Sequence, residues 1–373
     1  MLLERKDIPN NLTRSIELLD QALSQDPRFA LAQAALGEAY WERYHQSAET
    51  QWTFKALSSL AEALRLEPNQ CDVRRTLARI YRGTGRNEEA LEELQLALKV
   101  EPGNDETHRN LGNVLFDLGR RDEALEYFEQ AIRLRPNFWE NHRELGKAWY
   151  RMGQYDRAIV SLSRVVELQP DSAWGFQMLG AAYYVIGEIE TALLNYERSM
   201  AIAPTATAAS NIGTIWYSKK NYVEALKFYE LAIRLKPNKP LHYRNRGDAY
   251  LKLDHREKAR ESYERAAQLG EELIRVNPKD AEELSRLAVY EAKLSRFDSA
   301  RRHAAEASNY DPLRVEILYR AAVVHALAGD MQQAAAQVKL AVDRGFSFYI
   351  VREDDDLREL RESEPFIALF GVV

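Results

Sequence analysis

The sequence predicts an all-α protein built as an α-solenoid, a stack of about nine similar helix pairs followed by a terminal capping segment. Prolines recur at a spacing close to 34 residues, and the same residue types recur between them. Apolar residues within each interval return at i, i+4 and i+7, the period of a helix. A fixed repeat of this length is typical of proteins whose units stack on their neighbours. The prolines that mark it are Pro27, Pro68, Pro102, Pro136, Pro170, Pro204, Pro237, Pro278 and Pro312.

Each interval predicts two helices joined by a short turn, as in the stretch DETHRNLGNVLFDLGRRDEALEYFEQAIRLRP at 105–136. Gly119 supplies the turn between the helices, because glycine favours the conformation that ends a helix. Pro136 ends the second helix, since its ring and missing N–H prevent continuation. We number positions within a repeat so that this closing proline is position 32.

Small residues recur at positions 8 and 20, one on each helix of the pair. Position 8 holds Gly37, Ala78, Gly112, Gly146, Gly180, Gly213, Gly247, Ala288 and Ala322. Position 20 holds Ala56, Ala90, Ala124, Ala158, Ala192, Ala225, Ala259, Ala300 and Ala334. Larger side chains there would keep the paired helices apart and overpack the contact.

Two proline spacings are 41 residues, seven longer than the period. Seven residues are close to two helical turns, so an insertion within a helix keeps its buried face in phase. We expect the first insertion across Tyr44–Trp52 and the second in a helix between Ala266 and Pro278.

The unit LGNVLFDLGRRDEALEYFEQAIRLRP resembles the tetratricopeptide repeat, with its 34-residue period and its order of small and large residues. The resemblance covers roughly residues 30 to 345 in nine copies. It implies a right-handed superhelix in which first helices line a concave groove and second helices form the outside. It also implies that the groove binds peptide segments of partner proteins.

The two ends depart from the repeat and divide the chain into three expected regions. Residues 1–29 hold a half-repeat, a single helix for which Thr13 is the expected N-cap. Residues 30–345 form the nine helix pairs, and residues 346–373 a C-terminal capping segment. We expect one last helix from Asp356 to Leu369, with Leu357, Leu360, Phe366 and Phe370 turned inward over the end of the stack.

The closing segment also resembles the end of tetratricopeptide tails on bacterial multidomain signalling proteins of the serine/threonine kinase or cyclase type. That resemblance implies a second function hypothesis: the chain is the regulatory or sensor tail of a bacterial signalling enzyme whose catalytic module lies outside this chain.

Composition excludes several classes of function. The net charge of -6 argues against a nucleic-acid binder, which needs a cationic surface. The single cysteine excludes a disulfide framework within one chain, and no apolar run is long enough to insert in a membrane. We therefore expect a cytoplasmic protein, or a periplasmic or extracytoplasmic one if the chain is cut from a membrane-spanning parent. It would be a monomer or associate weakly with itself.

No constellation of residues predicts catalysis, a cofactor or a metal, and the chain is expected to be non-enzymatic. Asp354–Asp356 could suggest a cation site, but a solvated helix start is the ordinary interpretation. Cys71 has no neighbouring histidine base in the sequence and is not expected to be a nucleophile.

The resemblance places positions 2, 5, 6, 9, 12 and 13 of each first helix in the groove. Basic and amide side chains there, with aromatic residues at position 12, suit recognition of an extended peptide. The predicted peptide-binding residues are Arg75, Arg79, Arg109, Asn110, Asn113, Phe116, Arg143, Lys147, Tyr150, Arg151, Tyr184 and Tyr217.

The partner is expected to be a protein segment, acidic or C-terminal, because arginines bind carboxylates with two bonds at once. Glutamates are concentrated on the second helices, so the groove should be more positive than the outside. Some family members clamp a C-terminal carboxylate with basic residues in successive repeats. Here Glu140 and Glu144 stand where two of those residues should be, so the full clamp is absent.

Overall fold

The computed structural model describes residues 11–47, 49–312 and 314–372, and every regular element in these ranges is helical. The helices are α1 Asn11–Gln25, α2 Ala30–Ser47, α3 Thr50–Leu66, α4 Cys71–Gly83, α5 Asn87–Val100, α6 Asp105–Asp117, α7 Arg121–Leu134, α8 Trp139–Arg151, α9 Tyr155–Leu168, α10 Ala173–Val185, α11 Ile189–Ile202, α12 Ala206–Ser218, α13 Tyr222–Leu235, α14 Pro240–Lys252, α15 Arg256–Val276, α16 Ala281–Lys293, α17 Phe297–Tyr310, α18 Val315–Leu327, α19 Met331–Asp343, α20 Phe348–Glu353, a 3₁₀ turn Asp355–Leu357, α21 Arg358–Arg361 and α22 Glu364–Phe370.

The chain forms two compact units, the first ending at Ala148 and the second beginning at Trp149, within α8. In the first unit α2 packs on α3, α4 on α5, and α6 on α7. In the second unit the same pairing joins α10 to α11 and continues through α18 and α19. The prediction of an all-α fold of stacked helix pairs is therefore confirmed within each unit, while the handedness of a superhelix stays a prediction.

Glycines at position 8 bring the two helices of a pair together. A Cβ atom added to Gly112 would lie 2.6 Å from Cε1 of Phe128, and one added to Gly247 would lie 2.6 Å from Cε1 of Tyr263. Real Cβ atoms do not approach other carbons so closely, and Phe128 is only 1% exposed. The predicted role of the small residues is confirmed at these positions, because Gly112, Gly180, Gly213 and Gly247 each make room for a large ring on the second helix.

Replacing Gly112 by leucine should lower the free energy of unfolding by about 1–3 kcal/mol, since the new side chain overpacks the contact with Phe128. The matched control is Gly103→Leu, because nothing lies within 4 Å of a Cβ at Gly103 and its backbone is not left-handed. Urea unfolding followed by circular dichroism measures both variants. Equal midpoints for the two variants would show that the close approach is not required.

The turns between paired helices use the left-handed backbone predicted from glycine. Gly119 has φ of 79°, and the equivalent turns of three later repeats have φ near 60° at Lys220, Asp254 and Ser295. A non-glycine residue in this region is strained unless its surroundings hold it there. The residue type predicted the left-handed turn where that residue is glycine. In the three repeats with Lys220, Asp254 or Ser295, the same backbone conformation occurs without glycine, so the flanking helices hold it there.

The two insertions lengthen the repeats as expected. The second insertion lies inside α15, which is a single helix of 21 residues. The first falls at the end of α2 and the start of α3, and there the ring of Trp52 stacks on Tyr40 at 5.7 Å between centroids. Part of the predicted N-terminal half-repeat, residues 1–10, lies outside the described residues.

Two local predictions are wrong. Thr13 is not an N-cap, because α1 already includes Asn11, and the Thr13 hydroxyl instead accepts a hydrogen bond of 3.0 Å from Nη1 of Arg43. The single helix predicted for 356–369 is broken into the 3₁₀ turn, α21 and α22. Pro365 lies in the first turn of α22, where proline is tolerated, so the helix must restart after Ser363.

The predicted inward residues of the closing segment are nevertheless buried. Leu357, Leu360 and Phe366 have no exposed surface, and they join an apolar cluster with α16–α19. The ring of Phe370 lies 4.6 Å from that of Phe366 between centroids. The closing segment therefore packs over α19 through α21 and α22.

Candidate functional site

The first unit contains a cleft of about 550 Å³, lined mainly by α4, α6 and α8, the first helices of three successive pairs. Seven of the predicted peptide-binding residues line it: Arg75, Arg79, Arg109, Asn110, Asn113, Arg143 and Lys147. Helical spacing of positions 5, 6 and 9 turns these side chains to one side, and the stacking of the pairs aligns them.

Two of the cleft arginines are buried and already bound by carboxylates of the protein. Nη1 of Arg75 lies 2.7 Å from Glu101, and its Nη2 pairs with Asp72. Burial would lower the pKa of the Arg75 guanidinium, but hydrogen bonds to Glu101 and Asp72 raise it above its ordinary value. The Arg75 guanidinium therefore stays charged, and its Nη1 also donates to Oγ1 of Thr107 in the next repeat at 3.2 Å.

Arg109 is held in the same manner. Its Nη1 donates to Oδ1 of Asn141 at 2.8 Å, and its Nη2 lies 3.0 Å from Glu140. Asp105 lies 3.6 Å from the same guanidinium. With only 8% of Arg109 exposed, its charge is largely neutralised within the unit.

A buried carboxylate at Glu144 holds the two cations that α8 contributes to the cleft, Arg143 and Lys147. Nζ of Lys147 lies 2.8 Å from Oε2 of Glu144, and Nε of Arg143 donates to Oε1 at 2.8 Å. Burial would raise the pKa of the Glu144 carboxyl, but Lys147 and Arg143 more than offset it and the pKa is lowered. The cleft is thus a network of paired charges, less positive than the list of its basic residues suggested.

Three cleft side chains keep their hydrogen-bonding capacity for another molecule. Arg79 is exposed, Asn110 and Asn113 are half-buried, and none of them has a polar partner among the described residues. Nε of the neighbouring Arg82 is 2.6 Å from Oδ2 of Asp117. An unpaired guanidinium beside two side-chain amides can bind a carboxylate and the backbone groups of an extended chain.

The other predicted residues lie elsewhere. Phe116 is in the first unit and is buried, with 8% of its surface exposed. Tyr150 and Arg151 lie in the second unit, where the ring of Tyr150 meets that of Tyr155 edge-on at 5.4 Å between centroids. Burial raises the pKa of the Tyr150 hydroxyl, with Tyr155 adding to the effect.

Tyr184 and Tyr217 of the second unit contact the chain's own closing segment. The ring of Tyr184 meets Tyr349 edge-on at 6.3 Å between centroids. The hydroxyl of Tyr217 donates to Oδ2 of Asp355 at 3.1 Å. These two predicted residues are therefore already engaged within the molecule.

The closing segment runs across the first helices of the second unit. Near its start, the hydroxyl of Ser347 donates to the carbonyl oxygen of Val185 at 2.7 Å. Further along, Asp354, Asp355 and Asp356 meet basic and tyrosine side chains from four repeats. The residues that bind these aspartates are Tyr217 of α12, Arg244 and Lys252 of α14, Lys293 of α16 and Tyr319 of α18.

Asp356 is the most deeply bound of the three aspartates. Nη2 of Arg244 donates to its Oδ2 at 3.0 Å, and Nζ of Lys293 pairs with its Oδ1. Burial would raise the pKa of the Asp356 carboxyl, but Lys293 and Arg244 offset it and the pKa is lowered. Asp356 is therefore a carboxylate held between two cations.

Asp355 and Asp354 complete the contact. Nζ of Lys252 lies 2.9 Å from Oδ1 of Asp355, while Tyr319 hydrogen-bonds Asp354. Burial and the neighbouring Asp356 raise the pKa of Asp354 above its ordinary value. The interpretation of Asp354–Asp356 as a solvated helix start is wrong, because these side chains face protein groups.

Sequence reasoning missed Arg244, Lys252, Lys293 and Tyr319 as functional residues. They occupy positions 5 and 13 of the seventh, eighth and ninth repeats, which belong to the same predicted inner stripe. A search for an acidic run elsewhere in the chain would have paired them with Asp354–Asp356. Their joint role depends on the path of the closing segment, which no repeat pattern encodes.

No group of three or more histidine, cysteine, aspartate or glutamate residues in the described ranges is arranged to hold a metal ion. Within the same ranges, no helix is both long enough and apolar enough to cross a membrane.

The fold and the inner faces define a protein built from repeated helix pairs. Models of the tetratricopeptide repeat match residues 70–137, 109–173, 205–236, 243–270 and 285–347, together more than half of the chain. The chain belongs to the tetratricopeptide repeat family. As a member of this family it is a scaffold for interactions with other proteins.

Several solved structures are similar to parts of this chain. MamA is 27% identical over 44% of this chain and 97% of its own, with a TM-score of 0.41. YrrB, described as a tetratricopeptide repeat protein with an unusual peptide-binding site, is 23% identical over 49% of this chain and 95% of its own, with a TM-score of 0.40. PilF of Pseudomonas aeruginosa is 20% identical over 57% of this chain and 94% of its own, with a TM-score of 0.47. No curated protein matches the sequence.

Proposed function

We propose that the chain is a non-enzymatic scaffold whose first unit binds an extended acidic segment of a partner protein in the cleft of α4, α6 and α8. The observation that carries this proposal is the group Arg79, Asn110 and Asn113, which lines the cleft without polar partners among the described residues. The side-chain amides suit the backbone of the segment, and the guanidinium suits one of its carboxylates.

The paired charges around this group favour binding by holding the cleft in one arrangement. Arg75 and Arg109 link successive repeats through Thr107 and Asn141, so α4, α6 and α8 are fixed relative to one another. A preformed surface loses less conformational entropy when a ligand binds. The second unit provides an example of the proposed recognition of carboxylates, because its first helices bind aspartates of the closing segment through arginine, lysine and tyrosine side chains.

The acidic character of the partner follows from Arg79 alone among the cleft cations, since Arg75, Arg109, Arg143 and Lys147 each contact a carboxylate of the protein. Displacing Glu144 from Arg143 and Lys147 would leave a buried carboxylate without a partner, which costs free energy. We therefore infer a moderate affinity that depends on salt and on one principal ion pair.

Charge reversal at Arg79 is expected to weaken binding of an acidic peptide by about tenfold, because one attractive ion pair becomes a repulsive one. The probe is a fluorescent peptide in which aspartates alternate with serine, measured by anisotropy against the same peptide with asparagines. The matched control is Arg121→Glu, which makes the same charge change at an exposed position on α7.

Equal affinities for wild type, Arg79→Glu and Arg121→Glu would contradict the proposal. So would equal binding of the aspartate and asparagine peptides. The alternative function, a regulatory tail of a bacterial kinase or cyclase, stays a prediction from the resemblance of the closing segment.

A further inference from the structure

The second unit has a surface of polar and basic side chains on its first helices, and the closing segment covers this surface. Five side chains on its first helices converge on Asp354–Asp356, and they come from four different helices: α12, α14, α16 and α18. We call Tyr217, Arg244, Lys252, Lys293 and Tyr319 the acid-binding face. A surface assembled from four repeats to meet three successive carboxylates has the form of a peptide site.

The donors of the acid-binding face are divided among the three aspartates. Tyr319 meets Asp354, while Tyr217 and Lys252 meet Asp355. Arg244 and Lys293 both meet Asp356, as described above. Each donor is charged or a hydroxyl, so the face discriminates a carboxylate from a neutral amide by charge-assisted hydrogen bonds.

The charge of this face requires an acidic occupant. Among the described residues of the inner helices, Asp248 is the carboxylate that pairs with these cations, and it lies 2.8 Å from both Lys293 and Arg244. Within the closing segment, Glu353 pairs with Arg352, and Arg358 lies 3.2 Å from Asp355. Removing Asp354–Asp356 would leave a surplus of positive charge in a partly buried site.

The closing segment is held at both ends by contacts that do not involve the aspartate side chains. Val351 and Leu357 have no exposed surface, and Phe366 packs in the apolar cluster beyond them. Nη1 of Arg361 also donates to the carbonyl oxygens of Val351 at 2.9 Å and Asp354 at 2.6 Å. The three aspartates therefore lie in a loop whose two ends are anchored to the second unit, so they act as an intramolecular ligand.

The segment does not fill the surface it covers. A cavity of about 570 Å³ lies beside the aspartates, and its lining includes Tyr184, Tyr217, Arg244 and Arg358. An incoming chain could occupy this space before the tethered aspartates leave. Tethering raises the effective concentration of the internal segment to about the millimolar range, so a partner competes only when this segment is weakened.

We propose that the acid-binding face is a second protein-binding site, specific for a partner segment with consecutive carboxylates, and that Asp354–Asp356 occupy it as an internal competitor. Every residue of this site belongs to the second unit, so its binding does not require the cleft of the first unit.

The test uses the full chain with Asp354, Asp355 and Asp356 replaced by asparagine. The probe is a fluorescent peptide of residues 347–358, which carries the three aspartates, and the control peptide carries asparagines instead. The variant is expected to bind the aspartate peptide at least about tenfold more tightly than wild type does, since the internal competitor is neutralised. Adding Lys252→Glu to the variant should remove that gain.

Equal binding by wild type and variant, or equal binding of the two peptides, would overturn the proposal. A second measurement covers the case in which the triple variant fails to fold. Lys252→Glu places two carboxylates together and should speed hydrogen exchange of residues 350–357 by at least about threefold, while Lys252→Glu with Asp355→Lys restores the pair and the protection. Unchanged exchange in the single variant, or no restoration in the double variant, would show that the aspartates are not bound by their charge.

Discussion

Replacing Lys293 by alanine is expected to lower the free energy of unfolding by about 3–5 kcal/mol, because breaking a buried ion pair leaves an uncompensated charge. Nζ of Lys293 lies 2.8 Å from Oδ1 of Asp248 and also pairs with Asp356, and only 7% of the Lys293 side chain is exposed. Without the ammonium, two carboxylates share one remaining cation, Arg244. Urea unfolding at neutral pH measures the loss.

The control is Lys279→Ala, which removes an exposed lysine of the same unit and should change the free energy by less than about 0.5 kcal/mol. Comparable losses for the two variants would contradict the assignment of Lys293 to a buried network.

The loss in free energy of unfolding caused by Lys293→Ala should become smaller as the pH falls. In wild type the pKa of Asp356 lies below its ordinary value of 3.8, so its stabilising contribution is present at neutral pH and is lost as pH falls through that lowered pKa. The pKa of Lys293 is raised above 10.5, so its contribution is lost only in strong alkali. We expect the cost to be constant from about pH 5 to 9 and to shrink as the carboxylates of the variant take up protons. A cost that grows on acidification would contradict this account.

Replacing Phe366 by alanine is expected to cost about 3–5 kcal/mol, the usual result of removing a fully buried aromatic ring. Phe366 has no exposed surface and packs in the cluster that joins α22 to α18 and α19. The loss should be concentrated in the closing segment, so hydrogen exchange of residues 358–370 should accelerate more than exchange in α12 or α14. Thermal unfolding gives the total cost.

Leu369→Ala provides the comparison for Phe366, because Leu369 lies in the same short helix but is 45% exposed. We expect a cost below about 1 kcal/mol for it, since little apolar surface returns to water. Equal losses in the free energy of unfolding for the two substitutions would show that the packing of the closing segment does not depend on the buried ring of Phe366.

The repeats were predictable because each depends on contacts that are close in sequence. Gly112 and Phe128 stand 16 residues apart, and the same small-to-large contact returns in later pairs at Gly213 with Tyr229 and Gly247 with Tyr263. A pattern repeated so often identifies both helices, their turn and their facing sides. The long helix α15 followed from the same reasoning, because an insertion of whole turns preserves the buried face.

The charges of the candidate sites were harder to predict, because a formal charge does not show whether a side chain has a partner. Arg79 and Arg109 occupy the same inner stripe, yet Arg79 is exposed without a described partner while Arg109 is buried against Asn141 and Glu140. Asn141 lies 32 residues after Arg109, in the next repeat, and repeat phase alone does not show which group a side chain contacts. Seven of the twelve predicted residues line the cleft, whereas which of them are paired depends on the tertiary structure.

By itself, the sequence determined the family, the helix pairs and the small residues that bring them together, because these depend on a short period repeated along the chain. Only the tertiary structure decided where the closing segment lies. Asp355 accepts a hydrogen bond from Tyr217 across 138 residues of sequence, and such a contact forms because carboxylates are stabilised by hydroxyl donors and cations gathered from several repeats. The repeat pattern of the sequence does not predict a contact between residues so far apart in the chain.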